Sequence, residues 1–504
     1  MKLTRIGGTF VLGALLGAVA ACGSGSGGST STAPPTSITR TLAYVVSECS
    51  EDAQYHWTSH QSLRIQHGEG APITVKGFEF DVGPLLQTTD ACSLVGLYRF
   101  GSNSVVWGFF QRLGISPDGS TVVFEVTDDF SVQHLPEYGG VSGLLPEEKK
   151  GFFSVRADGS GLRRLGPASQ EQTYRAAKDP SAPGGWSGWL PPSYSIFSPD
   201  GRRVTFTDLG PGPTGEKAIQ IFTMDVVSGE REQLTSLPAL EPVSPYDPSV
   251  FPGVFLDNDT VQFKTYARTD VSTYTVTVKD KLLTKQEPVA IPGSVLVPNF
   301  FITGPAGNAF AIGFYSPPGK PPVNQLPHLE SVVYELFVAG GANLPQVSEG
   351  TLLQLTTFGR SDTALYGALL SPDRQHVLFP ASADPFGTNP SENCQIFSID
   401  TLGTNLRQLT FASEGTHSVS GCAYPYPPGC VSAFLGADAA TDSVLFHSSC
   451  NLLGTNPYGG QLFAMHFDGS GLRQLTDFKG MVTEPDGTVT VELPGPFAVL
   501  PPTQ

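Results

Sequence analysis

Ser116-Pro117-Asp118-Gly119 leads directly into TVVFEV (121–126), and the fold is decided by how often that junction recurs. Pro and Asp-Gly are turn chemistry, and the run that follows alternates as a half-buried strand does. Ser198-Pro199-Asp200-Gly201 precedes RVTFTD (203–208), and Ser371-Pro372-Asp373-Arg374 precedes HVLFPA (376–381). The same slot is filled more loosely by TVQFKT (260–265), AFAIGF (309–314) and SVLFHS (443–448), and by AYVVS (43–47) without its turn.

A second strand follows each of these: SLRIQ (62–66), FFSVRA (152–157), QIFTMDV (220–226), TYTVTV (273–278), VYELFVA (333–339), QIFSID (395–400) and QLFAMHF (461–467). A tight turn such as Asp158-Gly159-Ser160-Gly161 or Asp468-Gly469-Ser470-Gly471 comes next. A third strand closes each unit: PITVKGF (72–78), LRRL (162–165), EQLT (232–235), PVAI (288–291), LLQLTTF (352–358), LRQLTF (406–411) and LRQLTDF (472–478). Repetition at this period marks a repeat architecture. The ordered set SPDG-x-x-V-x-F, x-I-F-x-x-D and L-R-Q-L-T resembles the TolB-type (WD-like) β-propeller repeat over roughly residues 41–480. TolB proteins carry an α/β domain ahead of the propeller. Here a tether stands in that place, so the chain reads as TolB-like without being a TolB orthologue.

The expected fold is therefore all-β: one closed β-propeller over residues 41–500, its blades four-stranded and labelled A to D from the centre outward. The strand triplets count seven blades, with six (the number the TolB resemblance implies) or eight as alternatives. Segments 107–115, 194–198, 250–256, 298–303, 365–370 and 431–436 supply strand A, and TVTVEL (488–493) closes the ring as the strand the first blade lacks. Antiparallel strands alternate direction, so the A–B and C–D connections share one face and the B–C and D–A connections the other. The first set is tight and includes the turns at Asp118-Gly119, Asp200-Gly201 and Asp373. The second set is long, with insertions at 127–151, 166–193, 208–218, 382–393, 412–429 and 449–460.

The N-terminus reads as an address. Lys2 and Arg5 precede an apolar run from Ile6 to Ala21, too short for a membrane span but suited to a signal peptide over 1–21. Val19-Ala20-Ala21-Cys22 resembles the lipobox of bacterial lipoproteins. That implies cleavage before Cys22, lipidation of Cys22 and residence in the cell envelope, at the outer membrane in preference to the inner. Residues 23–37 (GSGSGGSTSTAPPTS) hold nothing that packs a core, so 22–40 is a lipidated tether. Six cysteines remain: Cys49, Cys92, Cys394, Cys422, Cys430 and Cys450. All map to the long-loop face, and export favours disulfides. Face and blade adjacency favour Cys49–Cys92, Cys422–Cys430 and Cys394–Cys450. Cys394–Cys422 with Cys430–Cys450 is the alternative to the last two.

The formal charge is −17, which becomes −19 once Lys2 and Arg5 leave with the signal. Such a surface repels nucleic-acid phosphates. Walker, H-E-x-x-H and G-x-S-x-G patterns are absent from the sequence, and turn chemistry accounts for the Asp-Gly pairs without a metal. No cofactor, metal or catalytic residue is expected. Aromatic residues gather on the long-loop side: Trp57, Trp186, Trp189, Tyr424, Tyr426 and Tyr458, with Tyr174 and Phe386. Exposed Trp and Tyr favour protein hot spots or sugar stacking. The expectation is a monomeric, lipid-anchored envelope module that binds an exported protein or peptide without catalysis. A glycan-binding propeller, or a glycosidase- or lactonase-type hydrolase with a site in the central channel, are the alternatives.

Overall fold

The structure is a computed structural model. It describes residues 40–54, 56–68, 70–86, 110–127, 145–171, 174, 196–242, 249–286, 301–303, 309–315, 333–339, 352–358, 368–371, 373–391, 393–412, 432–438, 442–448, 450–454 and 461–499. All of these fall in the unit Ile38–Gln504. The repeated turn explains itself first. Ser116 and Ser198 donate their hydroxyls to Asp118 and Asp200 at 2.5 and 2.6 Å, and Ser371 does the same to Asp373. Each hydroxyl also accepts the backbone N–H that opens the next strand, from Thr121, Arg203 and His376 at 2.9, 3.0 and 3.0 Å. The Asp oxygen accepts from the backbone N–H of Ser120, Arg202 and Gln375. The residue after each Asp is left-handed: φ is 71° at Gly119, 70° at Gly201 and 60° at Arg374. Each Ser-Asp pair thus satisfies the turn internally and aims the chain into a strand.

The strands fall into seven antiparallel sheets among the described residues. The first contains β1 (Thr41–Glu51), β2 (His56–His67) and β3 (Ile73–Leu86). The second runs β4 (Phe110–Ile115), β5 (Thr121–Val126), β6 (Gly151–Arg156) and β7 (Arg163–Gly166). The third holds β8 (Arg203–Pro211), β9 (Lys217–Asp225) and β10 (Arg231–Gln233). The fourth runs β11 (Val250–Phe255), β12 (Thr260–Ala267), β13 (Asp270–Thr277) and β14 (Leu283–Lys285). The fifth is β15 (Phe301–Thr303), β16 (Ala309–Tyr315), β17 (Val333–Ala339) and β18 (Leu352–Gln354). The sixth is β19 (Leu369–Leu370), β20 (His376–Ala381), β21 (Gln395–Asp400) and β22 (Arg407–Gln408). The seventh is β23 (Ser432–Asp438), β24 (Ser443–Ser448), β25 (Gln461–His466) and β26 (Arg473–Gln474). The chain then returns to the first sheet through β27 (Gly480–Thr483) and β28 (Val489–Val499), in the order β27-β28-β1-β2-β3. Helix among the described residues is confined to a 3-10 turn at Glu147–Lys149 and the helical residues Glu171 and Tyr174.

Six pairs of neighbouring sheets pack face to face among the described residues. Val122 and Phe124 point to one side of β5, Val123 and Glu125 to the other, as strand alternation requires. Phe78 of the first sheet meets Phe124 and Phe153 of the second at 4.8 and 4.7 Å. Val123 and Phe152 pack on Val204 and Phe206 of the third. Ile219 and Ile221 pack on Val261 and Phe263 of the fourth. Leu336 and Val338 of the fifth pack on Val377 and Phe379 of the sixth, and Leu369 and Leu378 on Val444 and Phe446 of the seventh. The seventh returns to the first through Leu445 and Leu462 against Leu42 and Tyr44. Sheets stacked in chain order, with the last against the first, are arranged as a β-propeller.

Strand number departs from four in two places. The third sheet has three strands, its innermost position reduced to the bridge Phe197–Val204. The first has five, because residues 480–499 form a hairpin and not a lone strand. A second correction follows from that hairpin. Cys49 lies inside β1, opposite Ser59 and Val491, and not in a loop. The first B–C connection is a short turn in which Asp52 accepts from Gln54 and His56 N–H groups. Likewise, most of the expected 208–218 insertion is strand, since β8 runs on to Pro211 and β9 begins at Lys217.

The recurring Gln and Thr of the second and third strands form a clamp. Thr235, Thr410 and Thr476 donate to the side-chain oxygens of Gln220, Gln395 and Gln461 at 2.8, 3.0 and 2.7 Å. Each Thr hydroxyl accepts a strand N–H in return, from Ile221, Ile396 and Leu462. Each Gln oxygen accepts the N–H of Leu237, Ala412 or Phe478, and each Gln amide donates to the same residue's carbonyl. Thr356 donates to Glu335 in the fifth sheet at 2.5 Å, so Glu serves where Gln does elsewhere. Thr476→Val keeps the shape but leaves the buried Leu462 N–H without its acceptor and takes one of two donors from the Gln461 side-chain oxygen. Denaturant unfolding is expected to show a loss of about 1–3 kcal/mol.

Candidate functional site

The two faces of the sheets differ in how they are finished. On one, the A–B and C–D turns bond to each other: Ala157 N–H to Ser120, Val226 to Arg202, Val278 to Asp259 and Thr401 to Gln375, at 2.7–3.0 Å. From the other end of the strands the B–C and D–A segments depart. Trp57 sits on β2, between Glu51 of β1 and Leu85 of β3. Trp186, Trp189, Tyr424, Tyr426 and Tyr458 lie outside the described residues, as do Cys22, Cys92, Cys422 and Cys430. What the structure shows is how the long segments begin.

Between the second and third sheets the D–A segment is pinned by a buried ionic cluster. Arg112 of β4 pairs with Glu125 of β5 and lies 3.3 Å from Glu171 and 2.9 Å from the Thr207 hydroxyl. Thr207 in turn donates to Glu171. Glu125 accepts the Ser169 N–H at 2.6 Å, and Asp208 accepts that of Gln170 at 2.7 Å. Arg231 ties Asp208 (3.0 Å) to the Pro167 carbonyl and stacks on Phe152 and Phe206. Burial works against the Arg112 charge, but Glu125 and Glu171 outweigh it and push its pKa up. The carboxylates of this cluster are engaged in holding residues 167–171 down. The sequence reading did not single out Arg112, Glu125 or Glu171.

At the sixth and seventh sheets the pins are amides and sulfur. Asn389 donates to Ala383 and Asn393 carbonyls and accepts from Asn393 N–H and the Gln395 amide. Asn393 reaches Ala412, where the D–A segment begins. Cys394 and Cys450 are fully buried beside Ser432: Cys450 Sγ is 3.9 Å from the Cys394 carbonyl, and Cys394 Sγ 3.7 Å from that of Ser432. Around this rigid junction Phe386, Phe411 and Leu453 are 49 %, 64 % and 42 % exposed. Phe386 was legible as a loop aromatic. Phe411 follows L-T where the equivalent residues are Ser236 and Asp477, and an aromatic in that polar slot is the signal that finds it.

The position after the Phe of V-x-F is polar in four repeats: Glu125, Thr207, Lys264 and His447. Lys264 lies on the side of β12 opposite Val261 and Phe263, and burial depresses its ammonium to about 8. Asp118 and Asp373 lie below the usual carboxylate range: partial burial raises them, but hydrogen bonds from Ser116 and Ser120, and from Ser371 and Gln375, outweigh it. Their oxygens serve the turns. Among the described residues no three His, Cys, Asp or Glu side chains gather as metal ligands.

No family model matches the chain, and no curated protein matches it. Solved structures do resemble it in fold. The TolB crystal structure from Acinetobacter baumannii aligns at 12 % identity over 73 % of this chain and 63 % of that one, with a TM-score of 0.33. The β-propeller domain of the trilobed protease from Pyrococcus furiosus aligns at 11 % identity over 88 % and 98 %, with a TM-score of 0.41. Oligogalacturonate lyase from Vibrio parahaemolyticus aligns at 9 % identity over 81 % and 94 %, with a TM-score of 0.40. The chain spans less than two thirds of the length of that TolB, and half that of a prolyl endopeptidase it also resembles.

Arg112→Met leaves Glu125 and Glu171 buried without their cation, and a loss of about 3–5 kcal/mol is expected in denaturant unfolding. Lys264→Met acts oppositely. The folded pKa of Lys264, about 8, lies below its unfolded value, so the native state is penalised below about pH 8 and gains stability as pH rises toward the ordinary lysine range. The variant is expected to gain ~2 kcal/mol at neutral pH and to lose that alkaline rise, read by thermal melts across pH.

Proposed function

We propose that the chain is a lipid-anchored cell-envelope β-propeller that binds an exported protein or peptide through its long-loop face, without catalysis. On this reading the seven sheets are the blades of one ring closed by β28 on β1, residues 1–21 are a signal peptide, and Cys22 carries the lipid. On the same reading Cys394 pairs with Cys450 and Cys49 with Cys92, by face and blade adjacency. No helix of the described residues is long and apolar enough to cross a membrane.

The observation that carries the binding assignment is the asymmetry of the faces. On one, short turns consume their own polar groups. On the other, the Arg112–Glu171 cluster and the Asn389–Gln395 amides hold the starts of long segments while Phe386, Phe411 and Leu453 stay exposed. Prepaid ordering of loops around exposed aromatic residues is what an interaction surface needs.

Crosslinking in the native envelope followed by affinity purification tests it. The wild type is expected to retain a protein whose crosslinks fall on the long-loop face. Trp186→Ala with Trp189→Ala, and separately Phe386→Ala with Phe411→Ala, are expected to weaken that capture with little change in melting temperature. Retention of glycans alone, or crosslinks confined to the turn face, would count against the reading.

A further inference from the structure

We infer that Lys264, with Thr273 beside it, forms a carboxylate-binding site that receives the C-terminal end of a peptide; this rests on the peptide-binding reading above and gives that binding a second place in the fold. The first observation is one open side in the fourth sheet. In the second, third, sixth and seventh sheets the V-x-F strand is buried on both sides. β12 alternates instead. Val261, Phe263, Thr265 and Ala267 are buried on the side that packs on the third sheet, while Gln262, Lys264 and Tyr266 on the other side are half-buried. The hairpin above them is short. Ala267 pairs with Asp270, so Arg268 and Thr269 make the whole B–C connection. No insertion of its own sheet crosses above Lys264, which lies about 10 Å below the end of β12.

The second observation is a cation without a counter-charge. Among the described residues no hydrogen bond or ion pair reaches the Lys264 ammonium. Asp270, the carboxylate of the adjoining hairpin, lies on the opposite side of the sheet. There it pairs with Lys285 at 3.0 Å and accepts the hydroxyls of Thr265, Ser272 and Tyr274. Arg112 is the contrast: Glu125 and Glu171 attend it and push its pKa up, while burial alone takes Lys264 down to about 8. An ammonium held from water without an anion destabilises the fold, and a bound anion offsets that cost. The register supplies a second donor. Lys264 stands opposite Thr273 on β13 and Phe251 on β11. Opposed side chains on one face are ~5 Å apart at Cβ, so the ammonium and the Thr273 hydroxyl reach the two oxygens of one carboxylate. Phe251 meets Tyr266 edge to face at 6.3 Å and walls the approach from the hairpin end. Depth selects the source. An Asp or Glu side chain on a folded surface is shorter than the ~10 Å to Lys264, whereas a chain terminus enters end-on and lays its last side chain against Phe251 and Tyr266.

The test uses the full chain with a pool of fluorescein-labelled pentapeptides randomised toward free C-termini, the same pool as C-terminal amides, and uronate oligosaccharides. Affinity is read by fluorescence anisotropy, and occupancy by the acetylation rate of Lys264 in mass spectrometry. The acid pool is expected to bind at least ~10-fold more tightly than the amide pool and to slow acetylation of Lys264. Lys264→Met, a variant expected to fold with added stability, is expected to lose that preference, Thr273→Val to lose part of it, and Lys264→Arg to retain it. Equal binding of acid and amide, Lys264 acetylation unchanged by a bound acid pool, or a Lys264→Met chain that still prefers the acid would overturn the site and leave peptide binding in place. Slowed acetylation with the uronates but with neither peptide pool would overturn the peptide as occupant. If the native chain binds neither pool and no probe slows acetylation, the peptide-binding reading fails and the site falls with it.

Discussion

The pairing of β28 with β1 is the contact on which the rest of the structure depends. A stack of small sheets has two unsatisfied ends, and each would expose a row of backbone N–H and C=O groups and an apolar sheet face. Here Val489–Val499 lies antiparallel to Thr41–Glu51, in register from Ser47–Leu493 to Glu51–Val489. Residues separated by nearly the whole chain thus share one sheet, and Leu445 and Leu462 of the last sheet meet Leu42 and Tyr44 of the first. Side-chain packing among the described residues then runs from the fifth sheet through the sixth, seventh, first, second and third to the fourth.

In the third, sixth and seventh sheets the Gln–Thr clamp does for the outer strands what the Ser–Asp pair does for inner turns. Both use short polar side chains to satisfy backbone groups where the ladder ends, so the last strand shrinks to two or three residues without leaving buried donors orphaned. Economy on the turn face and rim leaves the B–C and D–A ends free to grow. The described starts of two of those segments are held at fixed points, one by an ion cluster and one by an amide network.

Much of this was legible in the sequence, for a physical reason. Ser-Pro-Asp-Gly, V-x-F and L-R-Q-L-T are local solutions to local backbone problems, so their letters repeat wherever the problem does. Most of the strand triplets and the division between faces followed from them, but the outer strand of the fourth sheet is Leu283–Lys285, upstream of the expected 288–291. The first sheet was less legible. Its strands run through SECSE (47–51) and HWTSH (56–60), polar stretches that read as loop although Glu51 and Cys49 are buried in β1. Gly480–Thr483 is too short to announce a strand before its partner is known. The Arg112–Glu125–Glu171 cluster joins residues 13 and 59 positions apart, and no spacing rule brings such residues together before the sheets are stacked. Lys264 and His447 were hidden in runs chosen for their apolar members.

Hydrogen exchange on the full chain, resolved along β1 and β28, tests the ring most directly. If closure ties the ends into one cooperative unit, amides of residues 43–51 and 489–499 exchange together, at the rate of the best-protected strands such as β5 and β24. Exchange of 489–499 that is much faster than that of 41–51, with β5 and β24 unaffected, would show the C-terminal strand to be an opening flap and would contradict the account.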